Sequence, residues 1–201
     1  MKILKRIIQL ILIGLPLTGL YFGWQIYQNV QRVMQYEPLV AAEVDKQEIP
    51  QYKDLMLAII YTESKGRGTD LMQASESRYG AQHQISSQKE SIEAGVAYFA
   101  ETLQKSEAQD CDLWTAIQAY NFGVDYIPFV AEKGGKNSVK IAENYSKNVL
   151  SKALGNDSEE TYQYVRPQSI FYNGGFLYQN GGNFFYSELV KMNQHFIQWL
   201  G

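Results

Sequence analysis

Residues 7–27, IIQLILIGLPLTGLYFGWQIY, carry no charged side chain, and no other stretch limits the chain's options so sharply. As a helix rising about 1.5 Å per residue, the run covers about 30 Å, the thickness of a bilayer's hydrocarbon core. Lys2, Lys5 and Arg6 precede it, and Tyr21, Trp24 and Tyr27 gather toward its far end. Positive charge on the cytoplasmic side and amphipathic rings at the opposite interface are the marks of a membrane span. A secretory signal peptide would have a shorter apolar region, about 7–15 residues, and then a small-residue cleavage site. No such site follows, and no cysteine stands near the end of the run to take a lipid. The expectation is a retained, single-pass transmembrane helix over residues 7–27. Residues 1–6 then form a basic cytoplasmic end, and the rest of the chain faces the cell wall outside the cell membrane.

Beyond the span, residues 28–50 are mixed, polar and broken by Pro38 and Pro50, which reads as a stalk. From residue 51 helical periodicity takes over. Tyr52, Leu55, Met56, Ile59 and Ile60 recur at the spacing of one helix face. Ser87 with Glu90 three residues on announces a second helix through a capping box, and Ile92, Val96, Phe99 and Leu103 share its stripe. Further helices are expected in DLWTAIQAYN, in PFVAEKGG and in SVKIAENYSKNVLSKALG, each closed by a glycine. The tail departs from this pattern, with aromatic runs separated by two Asn-Gly-Gly turns that promise a β-hairpin-like element before a last amphipathic segment, residues 187–199. The expected fold is mainly α. It comprises one helical domain over residues 51–201 with a small C-terminal β-element, preceded by the transmembrane helix.

Composition removes several classes of function. A formal net charge of -3 supplies no basic excess for a nucleic-acid partner. Two histidines, His83 and His195, stand far apart with no partner at metal-ligand spacing, so neither a zinc site nor a serine–histidine triad is expected. Nothing calls for a cofactor or a metal. What remains is carboxylate chemistry, and its candidate is Glu63. Continuing the first helix's stripe by three from Ile60 and by four from Ile59 reaches Glu63, so its carboxyl falls on the apolar face. Apolar surroundings disfavour the charged form and raise the pKa, as a general acid near neutral pH requires. Gly66 and Gly68 then end the helix and should let the backbone pass close to whatever the glutamate faces.

Three segments in order carry a resemblance. Glu63-Ser64-x-Gly66 leads into Asp70-Leu71-Met72-Gln73-Ala74-Ser75-Glu76-Ser77. SIEAGVAYFAETL follows at residues 91–103, and AIQAYNFGVDYI at residues 116–127. Together they resemble the motifs of the goose-type lysozyme and lytic transglycosylase superfamily. They are most similar to the bacterial and phage lysozyme-like family, the muramidase unit of two-part cell-wall hydrolases. The C-terminal YNGGFLYQNGGNFFYSELV also looks like the end of anchored, single-domain members. The resemblance implies a lysozyme-like fold and the glycan strand of peptidoglycan as substrate. It also implies that Glu63 protonates the β-1,4 glycosidic oxygen between N-acetylmuramic acid and N-acetylglucosamine. Gln73 and Ser75 would line the cleft floor, and Tyr120 and Asn121 would hold acetamido or hydroxyl groups near the acid. Residues 91–103 would be the glycine-bearing helix packed beneath the site.

Glycosidases commonly use two carboxylates, about 5–5.5 Å apart when retaining and about 6.5–9.5 Å apart when inverting. Asp70 is the nearest candidate for the second and stands where transglycosylases more often carry glycine, which favours hydrolysis; Glu76 and Asp125 are weaker candidates. Should no second acid reach the site, the substrate's own acetamido oxygen can attack the sugar carbon. Water then gives a lysozyme product, and the muramic 6-hydroxyl gives a 1,6-anhydro product. A cleft that binds the strand without cutting it, or a plain helical interaction domain, is the competing class of function.

Overall fold

The computed structural model describes the backbone of residues 2–75, 80 and 84–201, and within that set the side chains of residue 14 and of residues from 16 onward. Glu76 and His83 lie outside the described residues. Of the anchor expected over residues 7–27, the side chains of residues 7–13 and of residue 15 fall outside that set. Among the described residues, no helix is long and apolar enough to cross a membrane.

Helix α1, Lys2–Met34, runs unbroken through Pro16. Its last turns do not belong to a stalk. Val30 and Val33 are fully buried, as are Val40 and Val44 on the next helix, α2, Glu37–Lys46. Residues 28–50 had been expected to supply reach; their valines recur at helical spacing and are covered by the domain core, so the segment packs as part of it. Lys53 closes the α2 junction with an ion pair to Glu37, 2.6 Å.

A 3₁₀ turn, Pro50–Tyr52, starts α3, Lys53–Glu63. The stripe expected there is present, yet burial is not confined to it. Every residue from Leu55 to Tyr61 is buried, so α3 is the central helix and takes neighbours on all sides. A helix apolar all round can be stable only when surrounded. Its main partner is the last helix, α9, Tyr186–Leu200, whose buried Tyr186, Leu189, Val190, Asn193 and Ile197 form one stripe. Asn193 donates to Thr62 Oγ1 across that contact, 2.9 Å.

The remaining helices form two further packs. Helix α4, Gln88–Glu107, has the expected N-cap, since the Ser87 hydroxyl accepts from the Glu90 amide, 3.2 Å, while Glu90 Oε2 accepts from the amide of Ser86, one residue before the cap, 3.1 Å. It packs on α5, Leu113–Phe122, which Asp112 caps by accepting from Thr115 N at 2.9 Å. Next come α6, Tyr126–Ala131, and α7, Val139–Tyr145; the latter passes through a π-helical turn, Ser146–Leu150, into a last turn at Ser151–Ala153. A second core, rich in Tyr126, Tyr145, Phe184 and Phe185, fills the space between these elements and the C-terminal region.

The tail carries two short antiparallel strands, β1, Thr161–Gln163, and β2, Phe176–Tyr178, with Thr161 opposite Tyr178. The Asn-Gly-Gly turns do not make the expected hairpin loops. SIFYN is the end of a helix, α8, Pro167–Asn173, stopped by Gly174 in the left-handed region. Pro167 in the first turn and the Ser169 hydroxyl, which accepts from the Arg166 amide at 3.1 Å, supply a helix start that outweighs the β-preference of Ile170 and Phe171. The second turn, Asn180 to Gly182, carries the chain from β2 toward α9.

Candidate active site

Glu63 is the last residue of α3, so its side chain leaves the core where the helix stops. Ser64 caps that end: its hydroxyl donates to Ile60 O, 3.1 Å, and accepts from the Gly66 amide, 3.1 Å. Gly66 has a different duty from the one expected. It adopts φ +72°, and a Cβ there would meet the backbone carbonyl of Arg32 at 3.3 Å, so the glycine lets α1 pack against the loop and does not open ground before the acid. Arg32 completes the seam by donating to Lys65 O, 3.2 Å.

Glu63, Asp70, Gln73, Ser75, Tyr120 and Asn121 all line one open cleft with a cavity of about 570 Å³. The structure thus brings these six residues picked from the sequence to one cleft. It also shows what most of them are attached to. Asp70 is the hub: Oδ1 accepts from Ala74 N at 2.9 Å and Ser91 Oγ at 2.7 Å, while Oδ2 accepts from Ser75 Oγ at 2.7 Å and Ser75 N at 3.2 Å. Burial by itself would raise its pKa, but the bonds from Ser75, Ser91 and the two amides outweigh that and hold it below the usual carboxylate value. Both oxygens are occupied by protein donors, two each. Such a carboxylate orders a loop; it has little left with which to attack a sugar or activate water.

Neighbouring residues serve the same loop. Gln73 has φ +50° and donates from Nε2 to Asp70 O, 2.9 Å. Ser75 Oγ, besides donating to Asp70, accepts from Ile85 N at 3.3 Å. Tyr120 is buried and donates to Met72 O, 2.9 Å, so its hydroxyl proton is committed to the protein and its ring forms the wall. Asn121 Oδ1 accepts from Asn183 N, 2.8 Å, and ties α5 to the second Asn-Gly-Gly turn. At that turn Gly182 passes so close that a Cβ would stand 2.8 Å from the Phe122 ring. The glycine-bearing helix is where the resemblance puts it: Gly95 of α4 lies under the loop, and a Cβ there would be 2.6 Å from both Cβ and Sδ of Met72. Asp125 is exposed at the start of α6 and does not line this cleft.

The residue that sequence reasoning missed is Tyr186. From the first turn of α9 its hydroxyl donates to Glu63 Oε1 at 2.6 Å, across 123 positions of chain. Its ring lies parallel to that of Tyr120, centroids 6.3 Å apart, and Tyr120 in turn touches Tyr98. A signal was available: Tyr186 sits on the buried stripe of an amphipathic helix, and a buried phenol needs an acceptor. The pKa of Glu63 is pushed up to about 7, chiefly by burial, with the Asp70 charge adding to the rise and the Tyr186 bond opposing it. Tyr186 is pushed well above its ordinary value by burial and by the Glu63 carboxylate, so it stays a donor throughout. Among the described residues, no group of three or more histidine, cysteine, aspartate or glutamate side chains is arranged to hold a metal ion. The site can therefore present one proton, at neutral pH, to an atom lying in the cleft.

Residues 30–194 match the model of the Lysozyme-like family. The chain is 39% identical over 194 residues to Pneumococcal vaccine antigen A of Streptococcus pneumoniae, covering 96% of this chain and 95% of that protein. It is 34% identical over 94 residues to the bifunctional muramidase/DL-endopeptidase CwlT of Bacillus subtilis, covering 47% of this chain and 28% of that one. A crystal structure of a lipoprotein-like protein of the NLP/P60 family from Staphylococcus aureus superposes with a TM-score of 0.74 at 35% identity, over 82% of this chain. The match spans about half of that protein, 52% of its chain.

Proposed function

The chain belongs to the lysozyme-like family, and from that premise we propose that it is a peptidoglycan hydrolase, an N-acetylmuramidase cutting the β-1,4 bond between N-acetylmuramic acid and N-acetylglucosamine. One observation carries the reading. Glu63 is a carboxyl at the wall of an open cleft, held by a phenol that keeps its proton, with a pKa of about 7. It is protonated in a large share of molecules at neutral pH and can give that proton to the departing glycosidic oxygen, a contribution worth about 10²–10⁴ in rate.

With both oxygens of Asp70 engaged, the second group is the substrate's acetamido oxygen, which attacks the anomeric carbon as the glycosidic bond breaks. Glu63, now a carboxylate, takes a proton from the water that opens the resulting ring, so the net reaction adds one water across the bond. Asp70 acts by positioning: it holds the loop that presents Gln73 and Ser75. The same saturation of Asp70 supports a second reading, in which the muramic 6-hydroxyl replaces water and the enzyme is a lytic transglycosylase. Mass spectrometry of digested peptidoglycan separates them, since hydrolysis leaves reducing muramic ends and transglycosylation leaves 1,6-anhydromuramic ends.

The test of the acid itself is Glu63→Gln. The expected variant keeps the fold and releases no soluble fragments from purified walls; undiminished release would overturn the role of Glu63. Wild-type protein that binds walls without releasing fragments would make the cleft a scaffold for glycan instead. We also propose that residues 7–27 anchor the chain in the cell membrane with the domain toward the wall, a reading supported by their lack of charge and the basic residues before them. Fractionation with and without residues 1–27 tests it; equal partitioning into the soluble fraction would refute it.

A further inference from the structure

A second cavity of about 500 Å³ adjoins the catalytic cleft and shares with it Phe122, Leu150 and Leu154. Its walls are two helix faces. Asp125, Pro128, Phe129 and Glu132 are spaced i, i+3, i+4, i+7 along α6 and its ends; Tyr145, Val149 and Ala153 stand at four-residue steps along α7 and its continuation. Between them lies a trough whose apolar surface is left open, with Val149 39% and Leu154 59% exposed.

The chemistry of this trough differs from that of the cleft it continues. The cleft is lined by amides and hydroxyls of Gln73, Ser75, Asn121 and Asn180, suited to a sugar's many hydroxyls. The trough has one hydroxyl, on Tyr145, and otherwise hydrocarbon and two carboxylates. Sugar hydroxyls laid in it would lose water without gaining partners, which is costly. A peptide of small apolar residues would lose nothing comparable. The carboxylates of Asp125 and Glu132 are exposed, and neither makes an ion pair among the described residues. They are i, i+7 on one face, about 10 Å apart along the axis, and put two carboxylates on the wall of the trough. The ammonium of Lys133 rests on the Phe129 ring, 3.8 Å from its centroid, so the wall already accommodates a cation.

We propose that this trough receives the peptide borne by the glycan strand, its small apolar residues against Val149, Leu150 and Leu154 and a side-chain amine beside Asp125 and Glu132. The proposal rests on the glycan-cleaving reading of the adjoining cleft and adds to it a preference for strands that carry amine-bearing peptides. The peptide hangs from the muramic sugar, and the shared wall of Phe122, Leu150 and Leu154 puts the trough next to any sugar lying in the cleft.

The experiment compares the full chain with its D125N/E132Q variant on purified walls, on the same walls after amine acetylation, and on glycan freed of peptide by an amidase. Exposed charge pairs contribute little each, so the variant should raise KM on intact walls about three- to tenfold. It should leave peptide-free glycan unchanged, and acetylation should bring the wild type to the variant's level without affecting the variant further. Equal changes on peptide-free and intact substrates, or no change on either, would overturn the proposal. If wild-type protein cleaves none of them, the hydrolase reading fails, and calorimetry decides the trough separately: Glu63→Gln protein should bind a soluble disaccharide-peptide with a free amine several-fold more tightly than its acetylated form. Equal binding of the two would end the proposal.

Discussion

Replacing Glu63 by glutamine should stabilise the protein, and only above a definite pH. In the folded chain its carboxyl titrates at about 7, against an ordinary value of 4.5. Because the folded value is raised, the folded state holds the proton more tightly, so this group's contribution is fully present below about pH 4.5. It falls between there and pH 7 and is gone above 7. At about 1.4 kcal/mol for each pH unit the full loss is about 3 kcal/mol, and partial access to solvent at the cleft reduces it to about 2 kcal/mol. Glutamine is nearly isosteric, keeps an oxygen to accept from Tyr186, and ionises nowhere in this range. Thermal unfolding should therefore give matching midpoints for wild type and variant near pH 4.5. At pH 8 the variant should melt about 4–8 °C higher, at about 2–4 °C per kcal/mol for a chain of this size. The same preparation should lose about 10²–10⁴ in wall lysis. A stability difference that does not change with pH would refute the claim that burial raises this pKa, and the acid role would lose its physical basis.

Tyr186→Phe removes the donor that favours the Glu63 carboxylate, so the alkaline limb of the pH–lysis profile should move upward, by about one pH unit for a bond of this kind; an unmoved limb would deny the contact any part in tuning the acid. Asp70→Asn turns one acceptor into a donor facing other donors, which should cost about 1–3 kcal/mol and raise hydrogen exchange at the Ala74 and Ser75 amides; unchanged stability and exchange there would deny Asp70 its part in ordering the loop. Gly95→Ala drives a methyl into Met72, an overpacking worth about 1–3 kcal/mol, and should lower both melting point and lysis because Met72 O is the acceptor for Tyr120; a variant as stable and active as wild type would show that the loop tolerates displacement.

Periodicity and capping made the helical domain legible: Ser87 announces its helix by a local bond that needs no knowledge of the rest of the fold, and the structure starts two further helices in the same way at Asp112 and Ser138. Motif resemblance brought six residues to one cleft. What stayed hidden was long-range. Nothing local in residues 28–50 says that Val30 and Val33 will meet α3 and α9, since their stripe looks the same whether its cover is another chain or the same one. The aromatic runs beside the Asn-Gly-Gly turns promised a hairpin-like element, while at SIFYN the Pro167 start and the Gly174 stop decided for helix. That four donors converge on Asp70 is likewise invisible at its position in the sequence.

On the proposed reading of Glu63 as the acid, its surroundings also account for one carboxylate serving two steps. A general acid that must next act as a base works best with a pKa near the working pH, because neither protonation state is then too rare. Burial at the end of α3 pushes Glu63 upward, and the Tyr186 bond pulls it partway back, leaving it at about 7. The two groups come from distant parts of the chain: α3 ends in the acid, and α9 supplies the donor. Asp70 adds a smaller upward push through its charge while staying ionised itself, since its own pKa is held low by the loop it organises. A fixed negative charge near the cleft also favours the positive charge that develops on the sugar as the glycosidic bond breaks, with no need for Asp70 to touch the anomeric carbon. Charge and placement are thus separable at this position. A neutral substitution that preserved the loop would still slow bond cleavage and shift the alkaline limb of Glu63 downward, whereas a purely structural Asp70 would leave that limb where it is.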